Sequence, residues 1–507
     1  MHSLSHREAE VSSTTPFRQP HPAALAVSSL RHWMYSARGW RTKDRQHILE
    51  YIGFATLLVL ITVWVVVTYY LNHPQVEPFN DTWSYLYVVE RFQTHGQLVN
   101  FWRLPGYPLL IVLIYAFMGQ GNLAALSVVH AVLFVLATLE FYMLTALVLR
   151  RAWTAFLVSL LVGPNVTLIS YVKPILSEAL ALWLCVTLAL AVVYFLHTLR
   201  ARTLWLVTLF TLLLFMSRPE WIFLPIPLFA YLLLVAAWRG KARSLILHAV
   251  LSIALLYSIL GGYVYINTTQ NHFPGLTWIQ NINELGKVLQ YHMQDEAPTH
   301  YIDISRVLDS YVARGTLDPY PILDQQPSLI HNYATLSGKY AHSIIERHPG
   351  EFALKSLPTS LSSLTVFYTE SSIDANGPQG KWLLQLQSAF RFLYRGNVLF
   401  PLCSLLWLVL LCWHRTRKMH TVQMMGAVVL LSLYALAITT VGAYSNIDYM
   451  RIHIPFDPLL TLVIWGSLLL GAILLLNSPG FALPRKIFYV KDETKEKRTE
   501  TTTHAEI

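Results

Sequence analysis

Only 13% of this 507-residue chain is charged, and the residues able to do chemistry stand at the ends of long apolar runs. Asp81 lies in the stretch Phe-Asn-Asp-Thr-Trp-Ser-Tyr. A carboxylate partly screened from water can serve as a general base toward a hydroxyl. Asn-Asp-Thr is equally good helix N-cap chemistry, so capping is the alternative use. Arg103 opens Arg-Leu-Pro-Gly-Tyr-Pro, whose two prolines and glycine fix a bend. Its guanidinium suits a lipid phosphate, or it snorkels to the interface. Lys173 and Glu178 flank Pro174. Glu178 suits a helix N-terminus, where the macrodipole favours a carboxylate, or a second acidic position facing Asp81 across a cavity. Arg218 and Glu220 sit between two apolar runs, where they can pair with each other. Asp448, Arg451 and His453 precede Pro455 and Pro458. Arg451 is a second candidate for phosphate binding. His453 has no obvious partner in sequence, which fits a structural histidine better than a metal ligand.

Apolar runs must position these groups. They cover 48–71, 104–118, 123–149, 153–169, 179–196, 204–216, 221–238, 245–266, 398–413, 422–441 and 454–476. Many reach the roughly 20 residues needed to cross hydrocarbon. Between them lie short basic clusters: Arg38 to Arg45, Arg150–Arg151, Arg200 with Arg202, Arg239 to Arg243, Arg415 to Lys418, and Arg485–Lys486. Placing all of these in the cytoplasm, as the positive-inside rule expects, permits one return crossing before Arg150. The run 123–149 makes it, so 104–118 reads as a re-entrant or juxtamembrane segment. About ten spans result, with 204–216 short for a crossing.

The expected organisation is a cytoplasmic, disordered tail at 1–47, a membrane module at 48–266 with an outer loop at 72–121, an extracytoplasmic domain at 267–395 after the seventh span, closing spans at 396–477, and a cytoplasmic tail at 478–507. Within the outer domain, 302–313 and 329–346 read as amphipathic helices, and 352–367 carries leucines at helical spacing suited to a membrane surface.

Apolar residues make up 54% of the chain and mean hydropathy is +0.44, which excludes a soluble globular class. The net charge of +9 is spread between apolar runs, so nucleic acid is not the expected partner. Cys185, Cys403 and Cys412 lie within apolar runs and read as small hydrophobes. No internal repeat and no histidine spacing for zinc is present.

The ordered pattern resembles the GT-C superfamily of membrane glycosyltransferases, of the family 39 type: the dolichyl-phosphate-mannose–protein mannosyltransferase-like members and the aminoarabinose lipid A transferase. The residues carrying it are Asp81 with Tyr85, Gly96, Arg103-Leu-Pro-Gly-Tyr107-Pro108, Pro164, Glu178, Arg218-Pro-Glu220, and Tyr449, Arg451 and Pro455. The resemblance covers roughly 48–275 and, more loosely, the end of the membrane part. It implies an all-α polytopic bundle and a polyprenyl-phosphate sugar as donor. It also implies that Asp81 is the catalytic aspartate of the first outer loop and Glu178 the second outer acidic position. Some relatives carry two adjacent acidic residues in that loop; here Asn80 and Thr82 flank Asp81. That departure implies metal independence or a single, weakly held divalent ion.

The reading that follows is an inverting transferase on the outer face, with a glycan, lipid or protein hydroxyl as acceptor and membrane lipids as surroundings. Asp81 and Glu178 are its catalytic candidates, and Arg103, Lys173, Arg218 and Arg451 its phosphate-binding ones. Tyr85, Tyr107, Glu220, Asp448 and His453 are in supporting positions. A transporter or flippase is the alternative; it would need charge within the spans, where Glu140 is the main instance. A non-catalytic scaffold using the outer domain is a third reading.

Overall fold

The computed structural model describes residues 42–79, 81–367, 373–443 and 446–476. The tails expected at 1–47 and 478–507 lie outside the described residues except for 42–47, and so does Asn80. The chain divides into a short unit, Met1–Gly53, described only where the first helix begins, and a unit Phe54–Ile507 that holds everything below. No strand occurs among the described residues. Helices are what a bilayer dictates, because every backbone N–H and C=O in hydrocarbon must be satisfied within its own segment.

The helices are α1 (Thr42–Asn72), α2 (Thr82–His95), α3 (Gly106–Met118), α4 (Leu123–Leu149), α5 (Ala152–Ser159), α6 (Val166–Val172), α7 (Glu178–Thr198), α8 (Ala201–Ser217), α9 (Pro225–Trp238) and α10 (Ala242–Asn271). Then follow α11 (Ile279–Gln290), α12 (Ile302–Val312), α13 (Pro319–Gln325), α14 (Pro327–Arg347), α15 (Pro349–Ser363), α16 (Gly377–Arg395), α17 (Phe400–Cys412), α18 (His420–Gly442), α19 (Asn446–His453), α20 (Asp457–Thr461) and α21 (Ser467–Leu476).

Among the described residues, eight helical segments are long and apolar enough to cross a membrane: Gln46–Asn72, Leu123–Leu149, Glu178–Thr198, Pro219–Trp238, Ala242–Asn271, Gly377–Cys412, His420–Gly442 and Asp448–Leu476. The protein is an all-α, polytopic membrane protein. Of the ten expected spans, these are the long ones. The expected span 153–169 is broken into α5 and α6 by turns at 160–164. The expected span 204–216 is the short helix α8. The segment set aside as a non-span, 104–118, is α3, whose 13 residues give about 20 Å at 1.5 Å per residue. That is short of the ~30 Å of hydrocarbon.

Helix α7 is buried along nearly all its length and is the axis of the membrane core, packing against α4 and α8. Between α10 and α16 stands a second apolar core, built from Ile282, Leu285, Val288 and Leu289 of α11 with Leu308, Ile322, Tyr340, Ile344 and Phe352. The expected helices in this region are α12, α14 and α15.

One helix alternation positions the site. α8 begins after Arg200 and ends at Ser217, α9 ends before Arg239, α10 begins after Lys241 and α18 begins beyond Arg417. The basic clusters among the described residues at 200–202, 239–243 and 415–418 therefore sit at one set of helix ends. Arg218, Glu220 and the C-terminal end of α18 sit at the other.

Candidate functional site

Asp81 occupies the N-cap position of α2, yet its side chain makes no cap hydrogen bond. Its two oxygens go instead to two guanidiniums: Oδ1 lies 2.7 Å from Arg103 Nη2, and Oδ2 lies 2.7 Å from Arg451 Nη2. Burial pushes the carboxyl up, but the two guanidiniums together outweigh it and hold it down at about 2.

The network continues from Arg451. Its Nε donates to Glu178 Oε1 at 2.9 Å. Arg218 Nη1 lies 3.8 Å from the same oxygen, and Arg218 Nε pairs with Glu220. Charges thus alternate along Arg103, Asp81, Arg451, Glu178, Arg218 and Glu220, all largely withdrawn from solvent. Glu178 stands in the first turn of α7 and is fully buried. Its Oε2 has no hydrogen-bond partner among the described residues.

Three local features hold the arginines. Arg103 Nε donates to Ser84 Oγ at 2.7 Å, and its guanidinium lies over the Tyr85 ring, 4.7 Å from the centroid. Arg451 stacks over Phe79 at 5.3 Å. At Gly106 an added Cβ would stand 2.6 Å from Ser217 Oγ and 2.7 Å from the Met216 carbonyl oxygen. The glycine of Arg-Leu-Pro-Gly-Tyr-Pro therefore lets α3 press on the end of α8, bringing Arg103 and Arg218 to one place.

A cavity of about 810 Å³ opens on this network. Asp81, Tyr85, Arg103, Arg218, Glu220, Asp448 and Arg451 line it, with Ser177 beside Glu178. Ile222, Phe223, Ile438, Val441 and Ile452 supply an apolar side. Trp102, Gln280, Asn283, Glu284, Asp318 and Tyr320 close it as a further wall, called the outer wall for its place across the cavity from the arginines.

The sequence-predicted residues separate into three groups. The cavity brings together Asp81, Arg103, Arg218, Arg451, Tyr85, Glu220 and Asp448, with Glu178 immediately behind. Tyr107 lies one layer deeper, edge-on to Tyr85 at 4.8 Å and with its hydroxyl 3.1 Å from His130 Nε2. Lys173 and His453 lie elsewhere. Lys173 is buried with its Nζ 3.5 Å from Glu77 Oε1. His453 is buried against Asp457, which accepts from the Tyr394 hydroxyl at 2.5 Å.

Glu140, the charge within a span, accepts from Trp183 Nε1 at 3.2 Å and Thr187 Oγ1 at 2.5 Å. It is satisfied within the bundle. No group of three or more His, Cys, Asp or Glu able to hold a metal occurs among the described residues. The Arg451 guanidinium lies between Asp81 and Glu178 and donates to both.

Sequence reasoning missed Ser84, Phe79 and, Asp448 apart, the wall formed by Trp102, Gln280, Asn283, Glu284, Asp318 and Tyr320. The amphipathic pattern of α11 was the signal that could have found the latter. Ile282, Leu285 and Leu289 face the core, leaving Gln280, Asn283 and Glu284 for the opposite side.

No protein-family model matches the chain. No curated protein matches it. Among solved structures it is similar to the archaeal oligosaccharyltransferase AglB of Archaeoglobus fulgidus in complex with an inhibitory peptide and a dolichol-phosphate, at TM-score 0.43 and 13% identity over 84% of this chain and 51% of that one. It is also similar to an apo form of the Archaeoglobus fulgidus oligosaccharyltransferase, at TM-score 0.41 and 12% identity over 84% and 52%. The chain spans about half the length of these structures.

Proposed function

We propose that the protein is a glycosyltransferase of the GT-C kind that moves a sugar from a polyprenyl-phosphate carrier to a hydroxyl acceptor, with inversion, on the membrane face away from the cytoplasm. One observation carries the reading. An acid and three arginines meet in a single cavity with an apolar side, at the helix ends opposite the basic clusters. Polyprenyl chains suit Ile222, Phe223 and Val441, and a phosphate suits Arg103 and Arg451, whose planar forks match its oxygens. The positive-inside rule puts the basic ends in the cytoplasm and the cavity outside.

In the reaction, the acceptor oxygen attacks the anomeric carbon while the bond from that carbon to the phosphate oxygen breaks. The electron pair leaves with polyprenyl phosphate, and the guanidiniums stabilise the charge growing there. Asp81 takes the hydroxyl proton. Held at about 2 by two guanidiniums, Asp81 is a weak base before the donor binds. A phosphate that engages Arg103 and Arg451 loosens their grip on Asp81 and raises its basicity, coupling proton removal to donor binding. Glu178 holds Arg451 from behind, and Arg218 with Glu220 completes the charge balance.

The test is transfer of radiolabelled sugar from polyprenyl-phosphate donors into membrane material. Asp81→Asn should lower transfer by roughly 10² or more, the usual worth of a positioned base. Undiminished transfer would remove Asp81 from the chemistry. The same assay in EDTA should run at the original rate, since Arg451 supplies the positive charge between the two acids. Loss of transfer in EDTA, restored by a divalent ion, overturns that part of the reading.

A further inference from the structure

The cavity has two chemically unlike walls, and the outer one defines what the inner one is offered. The inner wall carries Arg103, Arg218 and Arg451. The outer wall carries Gln280, Asn283 and Glu284 of α11, Asp318 at the N-cap of α13, Tyr320, and Asp448 of α19. Positions 280, 283 and 284 stand at i, i+3 and i+4, so one helix face presents them together. Among the described residues lining the cavity, no lysine or arginine stands on the outer wall. The next cation along the α11 stripe, Lys287, is fully buried, bonded to Gln290 and Tyr449, and does not line the cavity.

Resting on the transferase reading, we propose that the outer wall selects a neutral or amine-bearing sugar and rejects one carrying a carboxylate. The phosphate end of the donor is fixed by the arginines, which places the sugar against this wall. Sugar hydroxyls are donors, and the three carboxylates and two amides offer acceptors for them. Trp102 offers an aromatic face beside them. A sugar ammonium gains charge-assisted bonds to the same carboxylates. A uronate puts a like charge opposite Glu284 and Asp318, and no lysine or arginine of that wall lines the cavity to take it. Glu284 is braced by Gln280, whose Nε2 donates to it at 2.9 Å, and by His342 at 3.7 Å, so it is held in place toward a ligand.

The experiment uses the purified full-length protein and measures binding of four probes: polyprenyl phosphate alone, and the same carrier linked to glucose, to glucosamine with a free amine, and to glucuronic acid. The glucuronate carrier should bind at least tenfold more weakly than the glucose and glucosamine carriers. Asp318→Asn and Glu284→Gln should each narrow that gap. Equal binding of all three sugar carriers, with polyprenyl phosphate still bound, overturns the selectivity and leaves the arginine wall standing. No binding of polyprenyl phosphate itself overturns the transferase reading, and the selectivity falls with it. The wild-type comparison decides the matter even where a variant folds poorly.

Discussion

Lys173 and Arg451 look alike in the sequence: each is a cation shortly before a proline (Pro174 and Pro455) and within five positions of an acid (Glu178 and Asp448), at the end of an apolar segment. In the fold they differ. Lys173 pairs with Glu77 alone, its side chain is 2% exposed, and it lines no part of the cavity. Arg451 binds two acids with two different nitrogens and keeps 14% of its side chain open to the cavity. A lone buried pair is a packing element. A guanidinium shared between two carboxylates and still reachable can exchange partners with a phosphate. Reachability, not charge, separates the two.

Arg451→Lys tests this most sharply, because it keeps the charge and removes the fork that spans Asp81 and Glu178. Transfer should fall by about 10² to 10³, the cost of losing a positioned donor to a developing anion. Lys173→Met should leave kcat and KM within a few-fold and act on the melting temperature instead, since it strips Glu77 of its buried partner. A well-folded Lys173→Met protein with activity as low as Arg451→Lys would erase the distinction.

A second contrast lies in the two glycine-containing segments of the outer loop. Gly96 ends α2 with φ of 69°, and a Cβ there would meet nothing within 4 Å. Gly106 has an ordinary φ, but a Cβ there would run into the Met216 backbone. Gly106→Leu should therefore push α3 off α8 and separate Arg103 from Arg218. Overpacking of this kind destabilises by about 1–3 kcal/mol. Transfer should drop roughly tenfold, the size of a 1.4 kcal/mol effect, while Gly96→Asn, tolerable in the left-handed region, should stay near wild type. Equal behaviour of the two variants would show that the α3–α8 approach does not set the site.

Much of this was legible in the sequence, and the limits are physical. Apolar length and basic clusters gave the long helices, because both follow from the bilayer as solvent. The broken helix at 160–164 carries a turn signal in Gly163-Pro164, but the apolar length of Leu-Leu-Val-Gly-Pro and its flanks outweighed it in the reading of one span. Asp81, Arg103 and Arg451 were identifiable by type and place, yet a separation of 370 positions between Asp81 and Arg451 carries no sign that they touch. Lys173 was misplaced beside them because burial depends on neighbours distant in the chain. The outer wall was unread because its polar residues are ordinary for a helix facing water, and only the fold turns them toward the arginines.

The smallest expected effect belongs to the two lysines, 173 and 287, both buried but in different company. Lys173 has an acid at 3.5 Å. Lys287 has none within ion-pair distance among the described residues; its Nζ donates to Tyr449 Oη at 3.0 Å and Gln290 Oε1 at 3.1 Å, with the Tyr291 ring alongside. Burial pulls the Lys287 ammonium from its ordinary 10.5 down to about 7, and Asp448 opposes only part of that. The unfolded chain therefore keeps this proton up to about 10.5, and the folded chain only up to about 7. Between those values the unfolded state binds more protons, so stability rises with pH across that window and flattens beyond it. Lys287→Met, which keeps the bulk and drops the charge, should remove that slope and raise the melting temperature most below pH 7, where the folded chain carries the buried charge. Because Tyr449 is two residues from Arg451, the variant should change transfer by only a few-fold if Gln290 keeps its contact with the Tyr449 hydroxyl at 3.1 Å. A melting temperature whose pH dependence is the same in both proteins would show that Lys287 is charged and stabilised where it sits.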